Sequence, residues 1–316
     1  MTSPDSAPRD VARAHRIRPL ASIGLASLIL VCLLAFLVTR WRSLPDYEWR
    51  FSPGWLMLGV GATASCYVLQ GELWRALLGA LNEKIEPRSA RAVWAKSLLA
   101  RYIPTSIFLV VTRVALASRH GVRRRVCLVS VVYELALGLS AAGILASYFI
   151  VTVPALEGRP GRFAVLGVIP LAFVALHPRF FKPLADFVLR KFGRPELDEV
   201  LPLSTVSVFM LFYVVSWLLM GVGLLAFAAS LHPISAGESP YVVASYSVGF
   251  IVAVLTFVVP GGLGTRDATV AASLAATVPG PVATAIALGF RLLETAVELV
   301  YLAVTVTIAR REVRPR

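Results

Sequence analysis

Charge is scarce in this chain of 316 residues, and side chains that bind metal ions are few. Charged residues make up only 16% of the sequence, against 57% hydrophobic residues and a mean hydropathy of +0.75. This balance excludes a disordered chain and an ordinary soluble domain, and it is typical of a polytopic helical membrane protein. The 3 cysteines form no CxxC pair and the 4 histidines lack ligand spacing, so we predict no disulfide framework, no metal and no cofactor.

Acidic residues are fewer than basic ones, which gives a net charge of +13 and an isoelectric point near 10.3. In a soluble protein this excess would suggest nucleic-acid binding. Here the basic residues cluster in short loops between apolar runs, as membrane topology and anionic headgroups require. The sequence also lacks a base-stacking platform or recognition helix, so we expect no nucleic-acid partner.

The apolar runs set the helical organisation of the chain. They cover residues 20–38, 54–71, 97–118, 126–153, 163–176, 203–230, 241–259, 268–278 and 282–309. The first run is long enough to span and precedes Arg40-Trp41-Arg42 rather than a small-residue cleavage site, which indicates an uncleaved helix. Residues 177–202 place aromatic and basic residues at helical spacing, which predicts an interfacial helix on an anionic membrane surface; a solvated connector is the alternative.

Lysine and arginine in the short loops orient these runs. Both flanks of residues 97–118 are basic and therefore cytoplasmic, whereas residues 241–281 begin and end outside. We therefore predict an all-α fold with six full spans and two oppositely oriented re-entrant hairpins, about eight membrane helices in all. The two halves mirror each other in charge and hydropathy, which favours an inverted repeat, although their residues show no repeat.

The same charge bias divides the chain into three parts. Residues 20–310 form a single transmembrane domain. Basic tails at residues 1–19 and 311–316 lie in the cytoplasm.

The sequence PGGLGTRD at residues 260–267 interrupts an apolar run. Such a break leaves backbone N–H and C=O groups that hydrocarbon cannot satisfy, so it must be buried in protein or line a wet cavity. In transporters, broken helices of this kind form substrate sites. Backbone N–H groups freed at Gly261, Gly262 and Gly264 are candidate anion donors, whereas Asp267 is also suited to cap the helix that restarts there.

Several ionisable residues lie inside the predicted membrane segments, where each costs at least about 2.5–3.5 kcal/mol. Arginine suits a lipid phosphate because its planar fork stays charged and binds phosphate through two hydrogen bonds. The candidate substrate-binding residues are Arg101, Arg113, Glu134, Gly261, Gly262, Gly264, Arg266, Asp267, Arg291, Glu294 and Glu298. The alternative is that the charges only pair with one another: Arg113 with Glu134, Arg266 with Glu298, and Arg291 with Glu294.

The PGGLGTRD segment resembles the PGGLG-x-R-E signature of the lysylphosphatidylglycerol synthase transmembrane region, also called the flippase-like domain family. Asp267 stands where that family has glutamate, and Pro104-Thr105-Ser106 stands where it usually has Pro-Gly-Gly. The resemblance covers about residues 20–310. Other matching positions are Trp74-Arg75, Arg101-Tyr102-Ile103-Pro104, Arg113, Glu134, Trp217 and Gly221.

This resemblance implies a multi-pass protein of the bacterial inner membrane with both termini in the cytoplasm. The implied protein is similar to the flippase half of the multiple peptide resistance factor. The soluble aminoacyl-transferase of that protein has no counterpart here, so we expect no enzymatic activity. The leading hypothesis is a flippase or translocase for an anionic, phosphate-bearing lipid, with a partner synthase or a second copy of the chain as further partners. The alternatives are a membrane scaffold or accessory subunit and an enzyme acting on lipid-linked substrates of envelope synthesis.

Overall fold

A computed structural model describes residues 47, 49–102, 107–191, 193, 200–256 and 264–311. The predicted N-terminal tail, the first apolar run, the turn at Pro104 and the glycines Gly261 and Gly262 lie outside these residues, as does the C-terminal tail after residue 311.

Every regular element within the described ranges is helical. The α-helices are α1 (Pro53–Ala80), α2 (Pro87–Leu98), α3 (Ile107–Ser118), α4 (Arg124–Thr152), α5 (Val168–Leu176), α6 (Pro178–Lys191), α7 (Leu203–Leu231), α8 (Ser239–Leu255), α9 (Thr265–Leu274) and α10 (Gly280–Arg311). Short 3-10 turns cover Leu99–Tyr102, Pro154–Leu156 and Pro160–Gly167. The prediction of an all-α fold is confirmed.

Three helices among the described residues, α4, α7 and α10, are long and apolar enough to cross a membrane. A fourth span is added if the pair Pro160–Leu176 and Pro178–Lys191, bent by 71°, is counted as one. Two shorter apolar helices, Phe108–Ser118 and Ser239–Leu255, lie within the predicted hairpins. The fold is therefore that of an integral membrane protein, while the count of about eight membrane helices stays a prediction.

Helix α2 was not expected from the apolar runs, which left residues 72–96 as a polar connection. Pro87 occupies its first turn, and the Glu86 carboxylate accepts hydrogen bonds from the N–H groups of Arg88 and Ser89, at 2.9 and 2.7 Å. This is a regular N-cap. One face of α2 is buried, with Trp94 only 1% exposed. The helix is amphipathic, so averaging hydropathy along the chain conceals it.

Helix α6 forms where an interfacial helix was predicted. Phe181 and Leu189 are fully buried, and the Phe181 ring stacks on Tyr133 at 3.8 Å between ring centres. Phe180 and Phe187 on the other side are more than half exposed. Its position on a membrane surface stays a prediction.

Helices α1 and α7 cross in close contact because glycines remove side chains from the crossing. A Cβ atom on Gly59 would lie 3.2 Å from the carbonyl oxygen of Gly223. The backbone N–H of Ser52 donates to the carbonyl of Ser230 at 2.9 Å, so the start of α1 lies beside the end of α7 and the two helices are antiparallel. Helix α2 packs on α1, and α8 packs on α7.

The main packing partners of the helices follow one pattern in both halves. Helix α2 packs on α1, α3 and α10, whereas α8 packs on α7, α9 and α4. Helix α3 packs on α4, and α9 packs on α10. Exchanging α1, α2, α3 and α4 for α7, α8, α9 and α10 therefore leaves these partners unchanged.

Candidate functional site

The first buried charge pair joins α3 to α4. The Arg113 guanidinium, 1% exposed, pairs through Nη1 with Oε2 of Glu134, and its Nε donates to Oγ of Ser97 at 2.8 Å. The indole N–H of Trp94 donates to the other Glu134 oxygen at 2.9 Å. The pairing of Arg113 with Glu134 that the sequence suggested is confirmed. We call Trp94, Ser97, Arg113 and Glu134, together with Trp74, the Arg113 cluster.

Two tryptophans surround the guanidinium of this cluster. The Cζ atom of Arg113 lies 5.4 Å from the ring centre of Trp74 and 5.8 Å from that of Trp94. The Trp74 indole is held by a 3.1 Å hydrogen bond to Oγ of Ser130 on α4. Aromatic faces attract a cation and keep water away from it. The arrangement holds Arg113 in a dry pocket whose anionic partner at the described residues is Glu134.

The second buried charge pair joins α9 to α10. Nη2 of Arg266 lies 2.6 Å from Oε2 of Glu294. Its Nη1 donates to the Tyr246 hydroxyl at 3.1 Å, and that hydroxyl donates to the other Glu294 oxygen at 2.9 Å. Nε of Arg266 lies 3.5 Å from the Asp267 carboxylate. Tyr246 therefore donates a hydrogen bond to Glu294, as Trp94 does to Glu134.

Two further charged residues of α10 lie beside this pair. Nη1 of Arg291 is 3.6 Å from Glu294, which confirms that predicted pair. Its Nε is buried and finds no hydrogen-bond partner in the part of the chain that the structure describes. Glu298 is 1% exposed. The sequence alternative paired Arg266 with Glu298, but the structure pairs Arg266 with Glu294, one turn earlier. We call Tyr246, Arg266, Asp267, Arg291, Glu294 and Glu298 the Arg266 cluster.

Tyr67 of α1 connects the two clusters. Its hydroxyl lies 3.4 Å from Glu294 and 3.5 Å from Glu298. Its ring meets Trp94 edge-on, with ring centres 6.3 Å apart. The sequence analysis did not predict Tyr67, Trp94 or Tyr246 as site residues. The feature that could have identified them is an aromatic side chain with a polar tip inside or next to an apolar run.

Local backbone structure sets the position of Arg266. Helix α9 begins directly after Gly264, whose φ of +87° is accessible mainly to glycine. A Cβ atom on Gly249 of α8 would lie 3.0 Å from the carbonyl oxygen of Arg266, so glycine there allows α8 and α9 to touch. Asp267 lies in the first turn of α9, where the helix dipole favours a carboxylate.

Three predicted site residues lie wholly or in their side chains outside the described part of the chain, so the structure does not place them in either cluster. The backbone of Arg101 lies in the 3-10 turn Leu99–Tyr102, and its side chain is outside the described part of the chain, as are Gly261 and Gly262. Within the described ranges, no three His, Cys, Asp or Glu side chains are grouped so that they could hold a metal ion.

The buried arginines of both clusters have the chemistry to bind an anion if a carboxylate moves away. Each cluster holds an arginine buried among aromatic side chains, and the guanidinium fork fits phosphate as well as it fits carboxylate. Removing the partner of a buried charge costs about 3–5 kcal/mol unless another charge replaces it. A phosphate-bearing ligand supplies that replacement, so exchange of glutamate for phosphate is the chemistry that this geometry permits.

Comparison with known proteins identifies a family. The family model described as "Lysylphosphatidylglycerol synthase TM region" matches residues 21–301. This range includes both clusters and all the described helices except the end of α10. The search of curated proteins found no match.

Proposed function

Because the chain belongs to the lysylphosphatidylglycerol synthase transmembrane-region family, we propose that it translocates an anionic, phosphate-bearing lipid across the bacterial inner membrane. The observation that supports this most is the pair of buried clusters. In each, an arginine on a hairpin helix is held by a glutamate on the following long helix: Arg113 by Glu134 and Arg266 by Glu294. Purely structural ion pairs need no aromatic surroundings and no repetition in both halves.

The proposal includes the predicted topology of two hairpins that enter from opposite faces. Helix α4 provides the reference. Helix α3 ends next to the start of α4, whereas α8 begins where α4 ends, since the Tyr241 hydroxyl donates to the carbonyl of Thr152 at 3.0 Å. Together with the exchange pattern of the packing partners, this favours an inverted repeat around α1 and α7, which is a transporter architecture.

In the proposed mechanism, the lipid phosphate replaces one glutamate at a time. At one face the phosphate takes the Arg113 guanidinium from Glu134, and at the other face it takes Arg266 from Glu294. The buried aromatic side chains exclude water while the charge moves. Because Tyr67 contacts Glu294 and also packs on Trp94, opening of one cluster is transmitted to the other.

Translocation is testable with purified protein in proteoliposomes that contain fluorescent phosphatidylglycerol or phosphatidylcholine in one leaflet. We expect the protein to accelerate transfer of phosphatidylglycerol over protein-free vesicles, with a smaller effect on the zwitterionic lipid because its ammonium offsets the phosphate charge. If neither lipid moves faster than in protein-free vesicles, the translocase proposal is wrong. A scaffold would instead retain a partner synthase without moving lipid.

The opposite orientation of the hairpins gives a separate prediction for topology. In a background with the native cysteines replaced by serine, Arg123→Cys precedes α4 and Glu238→Cys precedes α8. Applied outside intact cells, a membrane-impermeant maleimide is expected to label Glu238→Cys and to label Arg123→Cys only after the cells are opened. External labelling of both positions would contradict the two-hairpin arrangement.

A further inference from the structure

At the described residues, the hydroxyl of Tyr213 on α7 has no hydrogen-bond partner, although the residue is only 3% exposed. Buried polar groups are almost always paired, because an unpaired one loses its water without compensation. An unpaired hydroxyl at a buried position therefore suggests a partner that is present in another state of the protein. The neighbours of Tyr213 identify that partner.

Helical spacing places Glu134 close to Tyr213 where α4 and α7 pack together. The indole nitrogen of Trp217 is 3.9 Å from the position of a Cβ atom on Gly138. One helical turn earlier on each helix are Tyr213 and Glu134. The charges of Glu134 and Arg113 both act on the Tyr213 hydroxyl. Both oxygens of Glu134 are already engaged, one with Arg113 and the other with Trp94.

The Arg266 cluster shows that a tyrosine hydroxyl can serve a buried glutamate beside an arginine. The Tyr67 hydroxyl donates to Glu294 at 3.4 Å, and the Tyr246 hydroxyl donates to it at 2.9 Å. At the described residues, the Tyr213 hydroxyl makes no such bond to Glu134.

We propose that Tyr213 is the replacement partner of Glu134: its hydroxyl donates to the Glu134 carboxylate when Arg113 turns to bind a phosphate group. This inference rests on the proposed function, in which a lipid phosphate takes Arg113. Tyr213 is then a positioning residue. It contacts no substrate, but it stabilises the carboxylate that the substrate leaves behind and so tightens phosphate binding.

Tyr213→Phe tests this because it removes only the hydroxyl. In the state described, that hydroxyl makes no bond, so the melting temperature without ligand is expected to stay at or above the wild-type value. Thermal unfolding in detergent with phosphatidylglycerol is expected to show affinity at least about tenfold weaker than wild type, as for loss of a hydrogen bond to a charged group. Tyr148→Phe, on the exposed side of α4, is the control and is expected to bind like wild type.

A double variant and a second ligand separate the remaining outcomes. In a Glu134→Gln background, Tyr213→Phe is expected to change affinity by less than about twofold, because the carboxylate it serves is gone. Equal phosphatidylglycerol affinity in wild type and Tyr213→Phe would overturn the inference, as would a melting temperature that falls without ligand while affinity is unchanged. Inorganic phosphate that stabilises wild type as strongly as the lipid would support the phosphate site but overturn a lipid as its ligand.

Failure of the proposed function is distinguishable from failure of this inference. If wild type binds phosphatidylglycerol more tightly than Tyr213→Phe but moves no lipid in proteoliposomes, translocation is wrong and the role of Tyr213 stands. If wild type is not stabilised by phosphatidylglycerol or by inorganic phosphate, both are wrong.

Discussion

Replacement of Arg266 by alanine is expected to abolish lipid translocation and to destabilise the folded protein. Nη1 and Nη2 of Arg266 both contact Glu294, and Nη1 also donates to the Tyr246 hydroxyl. Without it, Glu294, which is 2% exposed, keeps only Arg291 at 3.6 Å among the arginines of the described residues. Leaving a buried carboxylate without its main partner costs about 3–5 kcal/mol, so we expect a lower melting temperature and a lower yield of folded protein.

Arg266→Lys separates the loss of function from the loss of folding. Lysine keeps the positive charge that Glu294 requires, but it lacks the planar fork that binds carboxylate or phosphate through two hydrogen bonds. We therefore expect Arg266→Lys to fold, and to move lipid at least about tenfold more slowly than wild type. Arg159→Ala, at an exposed position between α4 and α5, is the matched control and is expected to retain wild-type rates. Wild-type transport by Arg266→Lys would remove Arg266 from the substrate site.

The partner of Arg113 was predictable from the sequence, whereas that of Arg266 was not. A charge inside a membrane domain must be paired, and Glu134 is the acidic residue that the sequence offers in the helix following Arg113. Arg266 has Asp267, Glu294 and Glu298 within reach, and both glutamates project from the same face of α10. The choice between them depends on the longitudinal position of α9 against α10, which is set by tertiary packing and not by the spacing of residues along the chain.

Among the helices too, some could be predicted from the sequence and one could not. Long apolar runs predicted α4, α7 and α10 because a membrane span needs a continuous stretch of hydrophobic residues. Helix α2 was missed because its buried face is produced by periodicity, with Ala90, Val93 and Trp94 facing inward and Arg88 and Lys96 facing outward. When hydropathy is averaged over consecutive residues, the polar face of α2 offsets its apolar face, so the segment reads as a polar connection.

The two clusters share a hydrogen bond although the residues that make it differ, and the reason is physical. Trp94 and Tyr246 each donate a hydrogen bond to the glutamate of their cluster, at 2.9 Å in each case. An indole N–H and a phenol O–H perform this task equally well, because each is an aromatic body with a polar tip. A sequence comparison registers a difference there, although the hydrogen-bonding role is the same.

The Arg113–Glu134 pair offers the clearest separation of a structural role from a substrate role. Arg113→Met alone leaves Glu134 without its cation, and Glu134→Met alone leaves Arg113, 1% exposed, without its anion. We expect each single change to lower the free energy of unfolding by about 3–5 kcal/mol. The double change to methionine removes both charges and fills a similar volume, so its stability is expected to return to within about 1 kcal/mol of wild type.

Translocation by the double variant then decides between the two interpretations of the cluster. If the pair only holds α3 against α4, the double variant, whose stability has recovered, is expected to move lipid at the wild-type rate. If Arg113 binds the phosphate, the double variant is expected to fold and to transport nothing above protein-free vesicles, and this is the outcome that we expect. Lys182→Met with Asp186→Met is the control, since this 2.8 Å pair on α6 lies outside both clusters and its side chains are 38% and 9% exposed. Equal rates in both double variants would show that the buried pair serves the fold alone.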